Sequence, residues 1–211
     1  MDFDNMIWDF DGTLFNTYPQ MVSAFVKALQ KMKIDDVDID PDEIYEQMRI
    51  HSLGSAINLF AARLGLDESK LKYNYQQYEV DLVQLSKPFD DIEDILKQTV
   101  DNDGKNMLLT HRNHTAINLL EKFELDKYFT DYVTSNDNFK RKPDPESLNY
   151  LVKYNQLDRY KTVMVGDRLL DVRAGENAST ETILFDPDYL IEVTGNPDLI
   201  IHKFDEIKNK K

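Results

Sequence analysis

The sequence predicts an α/β protein built on a doubly wound parallel sheet, with a second, helical domain inserted into it. Three observations predict this. Short apolar runs recur along the chain, residues with helical spacing fill most of the gaps between them, and one gap is far too long for a single crossover helix.

The first run, Asn5–Trp8, ends abruptly in Asp9-Phe10-Asp11-Gly12-Thr13, a strand entering a turn. Carboxylates at the carboxyl end of a buried strand stand where open α/β sheets bind ligands. The next strand begins only at Met107. Between them, apolar residues recur at three- and four-residue intervals over 21–32, 57–64 and 71–85. Structureless loops of that length are uncommon in compact domains. Residues 16–86 are therefore expected to form a helical cap domain, leaving 1–15 and 87–211 as the α/β core. An insert leaving just after the first strand is expected in a lid's position over Asp9 and Asp11. Residues 15–18 and 86–89 would be its hinges, with Pro88 stiffening the return.

After the insert the rhythm is regular. Helical spacing over 92–100, 115–123 and Glu146–Tyr154 alternates with apolar runs at 107–110, 132–134, 162–167, 182–185 and Leu199–Ile201. Residues 208–211 read as a frayed terminus.

Composition excludes whole classes of function. The 211 residues carry 25 Lys plus Arg against 39 Asp plus Glu, a net charge of −14. That charge repels polyanionic backbones and argues against nucleic acid as a partner. With no cysteine, disulfides, thiolate nucleophiles and thiolate metal sites are excluded together, leaving carboxylates and histidines for chemistry. The acidic amino terminus is unlike a signal peptide and no apolar run is long enough to span a bilayer, so a cytoplasmic protein without a membrane partner is expected. A phosphorylated ligand would need a local positive centre.

Asp9 and Asp11 are two apart, so on extended backbone both carboxylates leave the same side of the chain. Such a pair repels unless a cation or a shared proton relieves it, and oxygen-only donors suit Mg²⁺. Taken alone, Asp-x-Asp-Gly reads equally as an acidic turn; a calcium loop would need its glycine elsewhere and a helix in front. Asp167 and Asp171 form a second pair. A helix beginning at Arg168 would keep both on one face, although an N-cap with a surface acid is the commoner meaning of that pattern. Thr110 closes the second strand, where its hydroxyl and the amides after it would face an anion. Lys142 lies in the one dense basic cluster, and Pro143 holds it extended in front of a helix capped by Asp144 and Pro145. A cation fixed there would neutralise a phosphoryl group and keep a nucleophilic carboxylate ionised.

Asp9-Phe10-Asp11-Gly12-Thr13-Leu14, Thr110, Lys142-Pro143-Asp144-Pro145 and Gly166-Asp167-Arg168-Leu169-Leu170-Asp171, in this order at the ends of successive strands, resemble the haloacid dehalogenase-like hydrolases. The insert is similar to the helical cap of their phosphoglycolate-phosphatase and β-phosphoglucomutase branch, and the core would be Rossmann-like. The resemblance implies Asp9 as nucleophile forming an aspartyl-phosphate and Asp11 as acid and then base. It implies Mg²⁺ held by the Asp9 carboxylate, the Asp11 carbonyl and the Asp167 carboxylate, with Asp171 and Thr13 in support. Thr110, the backbone around His111, and Lys142 would contact the phosphoryl oxygens.

Within that resemblance, Asp11 and Asp167 argue against the metal-free dehalogenases. Thr13, and Met21 where related mutases carry a histidine, favour a phosphatase over a phosphomutase. The expected partner is a small phosphorylated metabolite, the chain being a monomer or homodimer. A non-catalytic phosphate-binding protein is the reading from another class, and the presence of all four motifs argues against it. Substrate choice would fall to the cap, with Arg49, His51 and Ser52 in a polar loop as candidates, a segment that reads equally as a plain interhelical turn. Two departures from the usual pattern, Asn16-Thr17 and Thr110-His111-Arg112, bear on substrate preference.

Overall fold

The computed structural model describes residues 3–208; the first two residues, and 209–211 of the expected frayed end, lie outside the described residues. By its internal contacts the chain divides into two compact units. One comprises the residues up to Phe15 together with those from Pro88 onward, and the other is Asn16–Lys87.

The first unit is an α/β core. Its chain order is β1 (Asn5–Trp8), a linker strand β2 (Phe15–Asn16), then the helical unit with α1 (Tyr18–Lys31), α2 (Pro41–Glu46), α3 (Leu53–Leu64) and α4 (Glu68–Leu82). The linker strand β3 (Lys87–Pro88) returns to α5 (Ile92–Asp101), β4 (Asn106–Leu109), α6 (Thr115–Lys122), β5 (Phe129–Val133) and α7 (Glu146–Tyr154). Then come β6 (Thr162–Gly166), α8 (Leu169–Ala178), β7 (Glu181–Phe185), β8 (Leu199–Ile201) and the short α9 (Asp205–Lys208). Six strands form one sheet in the order β5-β4-β1-β6-β7-β8, and every pairing is parallel. The doubly wound parallel sheet read from the sequence is the sheet found.

That order places the chemistry. The chain winds from β1 outward through β4 and β5, then crosses to the other side of β1 for β6, β7 and β8. Trp8 is in register with Leu108 of β4 and Val165 of β6, so the residues just past β1, β4 and β6 emerge side by side. These are Asp9, Thr110 and Asp167. The crevice at such a reversal of strand order is the general ligand site of open α/β sheets.

The central strands read as continuous apolar runs because both faces are covered: β4 and β6 are buried along their whole length. On one face Ile7, Leu109 and Met164 pack with Leu148 and Leu151 of α7 and Ala174 of α8. β5 is an edge strand and begins three residues before the run at 132. Its exposed Thr130 and part-exposed Asp131 break the apolar pattern, so only its inner end was visible in the sequence.

One buried polar group ties the centre together. Asn106, fully buried, accepts from the Trp8 indole N–H at 3.0 Å and donates to the carbonyls of Leu96 (3.0 Å) and Tyr128 (3.2 Å). Asn106→Leu keeps the size but strands one donor and two acceptors. It is expected to cost about 2 kcal/mol or more in chemical denaturation, with unchanged sheet content by circular dichroism.

The second unit is helical. Phe25, Leu29, Phe60, Leu71 and Tyr75 form its own core, with the Phe25 and Phe60 rings edge to face at 5.4 Å. Met21 is buried in that core. The helix α2 runs straight into a π-helical turn, Gln47–His51. At the residues where the chain enters and leaves this unit, β2 and β3 pair in a separate two-stranded sheet. Among the described residues no helix is long and apolar enough to cross a membrane.

Candidate active site

Asp9 is the first residue past β1, and its amide N–H donates to the Val165 carbonyl at 2.9 Å, pinning the backbone to β6. Its side chain is 4% exposed. Lys142 Nζ meets Asp9 Oδ1 at 2.5 Å, Asp171 Oδ1 at 2.6 Å and the Leu109 carbonyl at 3.0 Å. An ammonium has three protons, so all of its donors are engaged. Burial opposes the charge on Lys142, but Asp171 and Asp9 outweigh it and hold the ammonium above its ordinary range. Its backbone is held in place as well: the Lys142 N–H donates to His111 Nε2 at 3.0 Å.

Asp167 follows β6 and Asp171 lies in the first turn of α8, both fully buried. Asp171 Oδ2 accepts the Arg168 N–H at 3.2 Å, so the residue caps the helix while its other oxygen faces Lys142. Gly166 makes room for it. A Cβ there would stand 2.2 Å from the Asp171 Cβ and 2.6 Å from its Oδ2, too close for any side chain. Gly166→Ala is expected to displace Asp171, with a crystal structure of the variant showing α8 shifted at its start.

Asp9, Asp167 and Asp171 each offer a carboxylate oxygen within 4.8 Å of the others, all three buried. Asp9 and Asp171 share one buried ammonium, Asp167 stands beside them with Arg168 Nε 3.8 Å away, and Asp9 Oδ2 has no hydrogen-bond partner. An all-oxygen donor set with excess negative charge and an unpartnered oxygen fits Mg²⁺. Burial pushes the Asp9 carboxyl up to about 7; Asp171 and Asp167 push in the same direction and Lys142 opposes them. A cation must therefore displace a proton near neutrality. Mg²⁺ binding by the protein, followed calorimetrically, is expected to weaken as the pH falls below about 7 and to release protons on binding.

The Asp11 carboxylate stands apart from this cluster. Arg112 Nε reaches its Oδ1 at 3.0 Å and Oδ2 at 3.1 Å, and Nη2 reaches Oδ1 at 2.7 Å. The two aspartates of the first motif are thus relieved by different side-chain cations, because past β1 the chain turns through Gly12, whose φ of 75° only glycine adopts readily. Thr110, 2% exposed, accepts the Arg112 N–H at its Oγ1 at 3.0 Å. That amide is consequently taken, while the threonine O–H retains its proton for an anion. Thr13 is fully buried and its Oγ1 has no hydrogen-bond partner.

His111 contributes through its ring. Burial, then Lys142, Arg141 and Arg168, push it down to about 2, which agrees with Nε2 acting as acceptor. An unfolded histidine takes up a proton near 6.5, so the unfolded chain binds the extra proton below that pH. The stabilising contribution is present above pH 6.5 and is lost as the pH falls; His111→Gln is expected to flatten that part of the stability profile.

The candidates in the helical unit separate. Arg49 is 1% exposed, in the π-helical turn, with its guanidinium 5.7 Å from the centre of the Tyr18 ring. His51 is exposed. Ser52 is the N-cap of α3, its Oγ accepting from Ser55 N–H at 3.0 Å, a structural use for a residue expected to face substrate. Two cations were missed in the sequence. Arg112 holds Asp11, and Arg168 lies 3.8 Å from Asp167. Their positions directly after Thr110-His111 and Asp167 were the available signal.

The family model for haloacid dehalogenase-like hydrolases matches residues 6–185 of this chain. The chain is 24% identical over 220 residues to the pyrophosphatase PpaX of Halalkalibacterium halodurans, covering 95% of this chain and 96% of that protein. A hydrolase from Streptococcus pneumoniae TIGR4 is 33% identical with a TM-score of 0.67, covering 88% of this chain and 94% of the other. A predicted phosphoglycolate phosphatase from Haemophilus somnus 129PT, 19% identical, shares the fold over 100% of this chain and 99% of its own, with a TM-score of 0.83.

Proposed function

The chain belongs to the haloacid dehalogenase-like hydrolases and is a hydrolytic enzyme, and from that premise we propose that it is a Mg²⁺-dependent phosphatase acting on a small phosphorylated metabolite. The observation that carries this is the buried arrangement of Asp9, Lys142, Asp167 and Asp171 at the carboxyl edge of the sheet.

In this reading Asp9 Oδ2, the carboxylate oxygen without a hydrogen-bond partner, attacks phosphorus. The Asp9–phosphorus bond forms as the ester bond to the leaving oxygen breaks, and Asp11 gives that oxygen its proton. Asp11 then takes a proton from water as the water attacks the aspartyl-phosphate, which frees Asp9 and releases phosphate. Lys142 favours the ionised form of Asp9 against burial and orients it throughout, and the Thr110 hydroxyl donates to a phosphoryl oxygen. Held by Asp9, Asp167 and the Asp11 carbonyl, with Asp171 in support, Mg²⁺ would neutralise the phosphoryl charge that a chain of net charge −14 otherwise repels. Position 21, where related mutases place a histidine, is a methionine inside the helical core, which supports hydrolysis over isomerisation.

Phosphate release from a panel of phosphorylated metabolites, measured with and without Mg²⁺, tests this. The panel should hold pyrophosphate, phosphoglycolate and β-glucose 1-phosphate, the last coupled to detection of glucose 6-phosphate. Magnesium-dependent release is the expected result. Isomerisation without release would make the chain a mutase, and silence across the panel would support the reading of a non-catalytic phosphate-binding protein.

A further inference from the structure

We propose that Arg112 is a positioning residue for the proton-transfer step, fixing the Asp11 carboxylate so that Oδ2 carries the proton to the leaving group. This rests on the phosphatase reading above. Three features of the geometry support it. The contact is two-pronged: Nε and Nη2 of one planar guanidinium lie 2.7–3.1 Å from the carboxylate, which fixes its plane as well as its place. It is also sheltered, the Arg112 side chain being 9% exposed and that of Asp11 22%. Finally, both ends stand on rigid backbone. The Arg112 N–H donates to Thr110 Oγ1 at 3.0 Å and its carbonyl accepts from Ser135 N–H at 2.9 Å, just past β4. Asp11 is held by the turn in which the Gly12 N–H donates to the Phe15 carbonyl at 2.8 Å, just past β1, the strand paired with β4.

The two oxygens of Asp11 are not equivalent. Oδ1 receives two donors, at 3.0 and 2.7 Å, while Oδ2 receives only the longer branch of the forked Nε–H, at 3.1 Å. A carboxyl group that must donate holds its proton on the oxygen less committed to other donors, and Oδ2 is that oxygen. Arg112 thus acts through Asp11.

Leaving-group chemistry separates this from other roles. A p-nitrophenolate leaves without help from an acid, whereas an alkoxide must be protonated, and kcat/KM reports the steps through the first phosphoryl transfer. For Arg112→Gln, kcat/KM on a simple alkyl phosphate is expected to fall about 100-fold while p-nitrophenyl phosphate changes only a few-fold. Inhibition by inorganic phosphate should not change. Arg112→Lys keeps the charge without the fork, and should lose alkyl phosphate turnover while retaining the melting temperature; it decides the question if the glutamine variant does not fold. Equal losses on both esters, or a weakened phosphate inhibition, would overturn the proposal within an active phosphatase. Wild-type protein silent on both esters would instead overturn the phosphatase reading, and this proposal with it.

Discussion

Asparagine at position 9 is expected to lower phosphate release by about 10⁴-fold or more, because it removes the oxygen that bonds to phosphorus. The same change is expected to leave the metal-free fold at least as stable as wild type at pH 8. The reason is electrostatic. The Asp9 carboxyl is raised from 3.8 to about 7 by burial and by its neighbours Asp171 and Asp167, against Lys142. A raised carboxyl binds its proton more tightly in the folded state, so its contribution is fully present below pH 3.8 and is lost as the pH rises through about 7. Asparagine carries no such charge. In EDTA, denaturation of wild type should therefore become easier from about pH 4 to about 7, and Asp9→Asn should remove that part of the slope. An inactive variant that is also much less stable at pH 8 would point to a structural role for Asp9.

Lys142→Ala is expected to be inactive and, unlike Asp9→Asn, strongly destabilised. The ammonium is fully buried between Asp9 and Asp171, at 2.5 and 2.6 Å. Its removal leaves two buried carboxylates without their shared cation, a loss of about 3–5 kcal/mol at neutral pH by analogy with other broken buried ion pairs. Coupling to Asp171 is the sharper test. In Lys142→Ala/Asp171→Asn one stranded charge is gone, so the double variant should be more stable than Lys142→Ala alone, a non-additivity expected of groups in direct contact. Additive losses would mean that the three-way contact contributes little to the fold.

The sheet was legible because its central strands are buried on both faces and so read as uninterrupted apolar runs. β1, β4 and β6 each end where the run ends, and the polar residue that breaks the run is the one that enters the site: Asp9, Thr110 or Asp167. Lys142 was legible from local constraint, since the proline after it and the helix start that follows fix its backbone. Arg112 was not. Its partner Asp11 is 101 positions away, and the ion pair exists because β1 and β4 are adjacent, a fact of topology that no local pattern carries. The start of β5 was hidden for a different reason, an edge strand having no need for apolar residues on its exposed face. Ser52 shows a different limit: the helix-start N–H that its Oγ accepts becomes readable only once α3 is seen to begin at Leu53.

In the proposed reaction phosphate passes through a covalent bond to Asp9. The most direct test is to mix enzyme and a turned-over substrate in Mg²⁺, quench in acid within the first turnover, digest, and weigh the peptide that contains Asp9. With p-nitrophenyl phosphate, whose leaving group needs no acid, Asp11→Asn should increase the trapped fraction by slowing the second step. The expected result is a phosphoryl increment located on Asp9, absent from Asp9→Asn and lost on treatment with hydroxylamine. Continued phosphate release with no increment on Asp9 in either wild type or Asp11→Asn would contradict the nucleophile assignment.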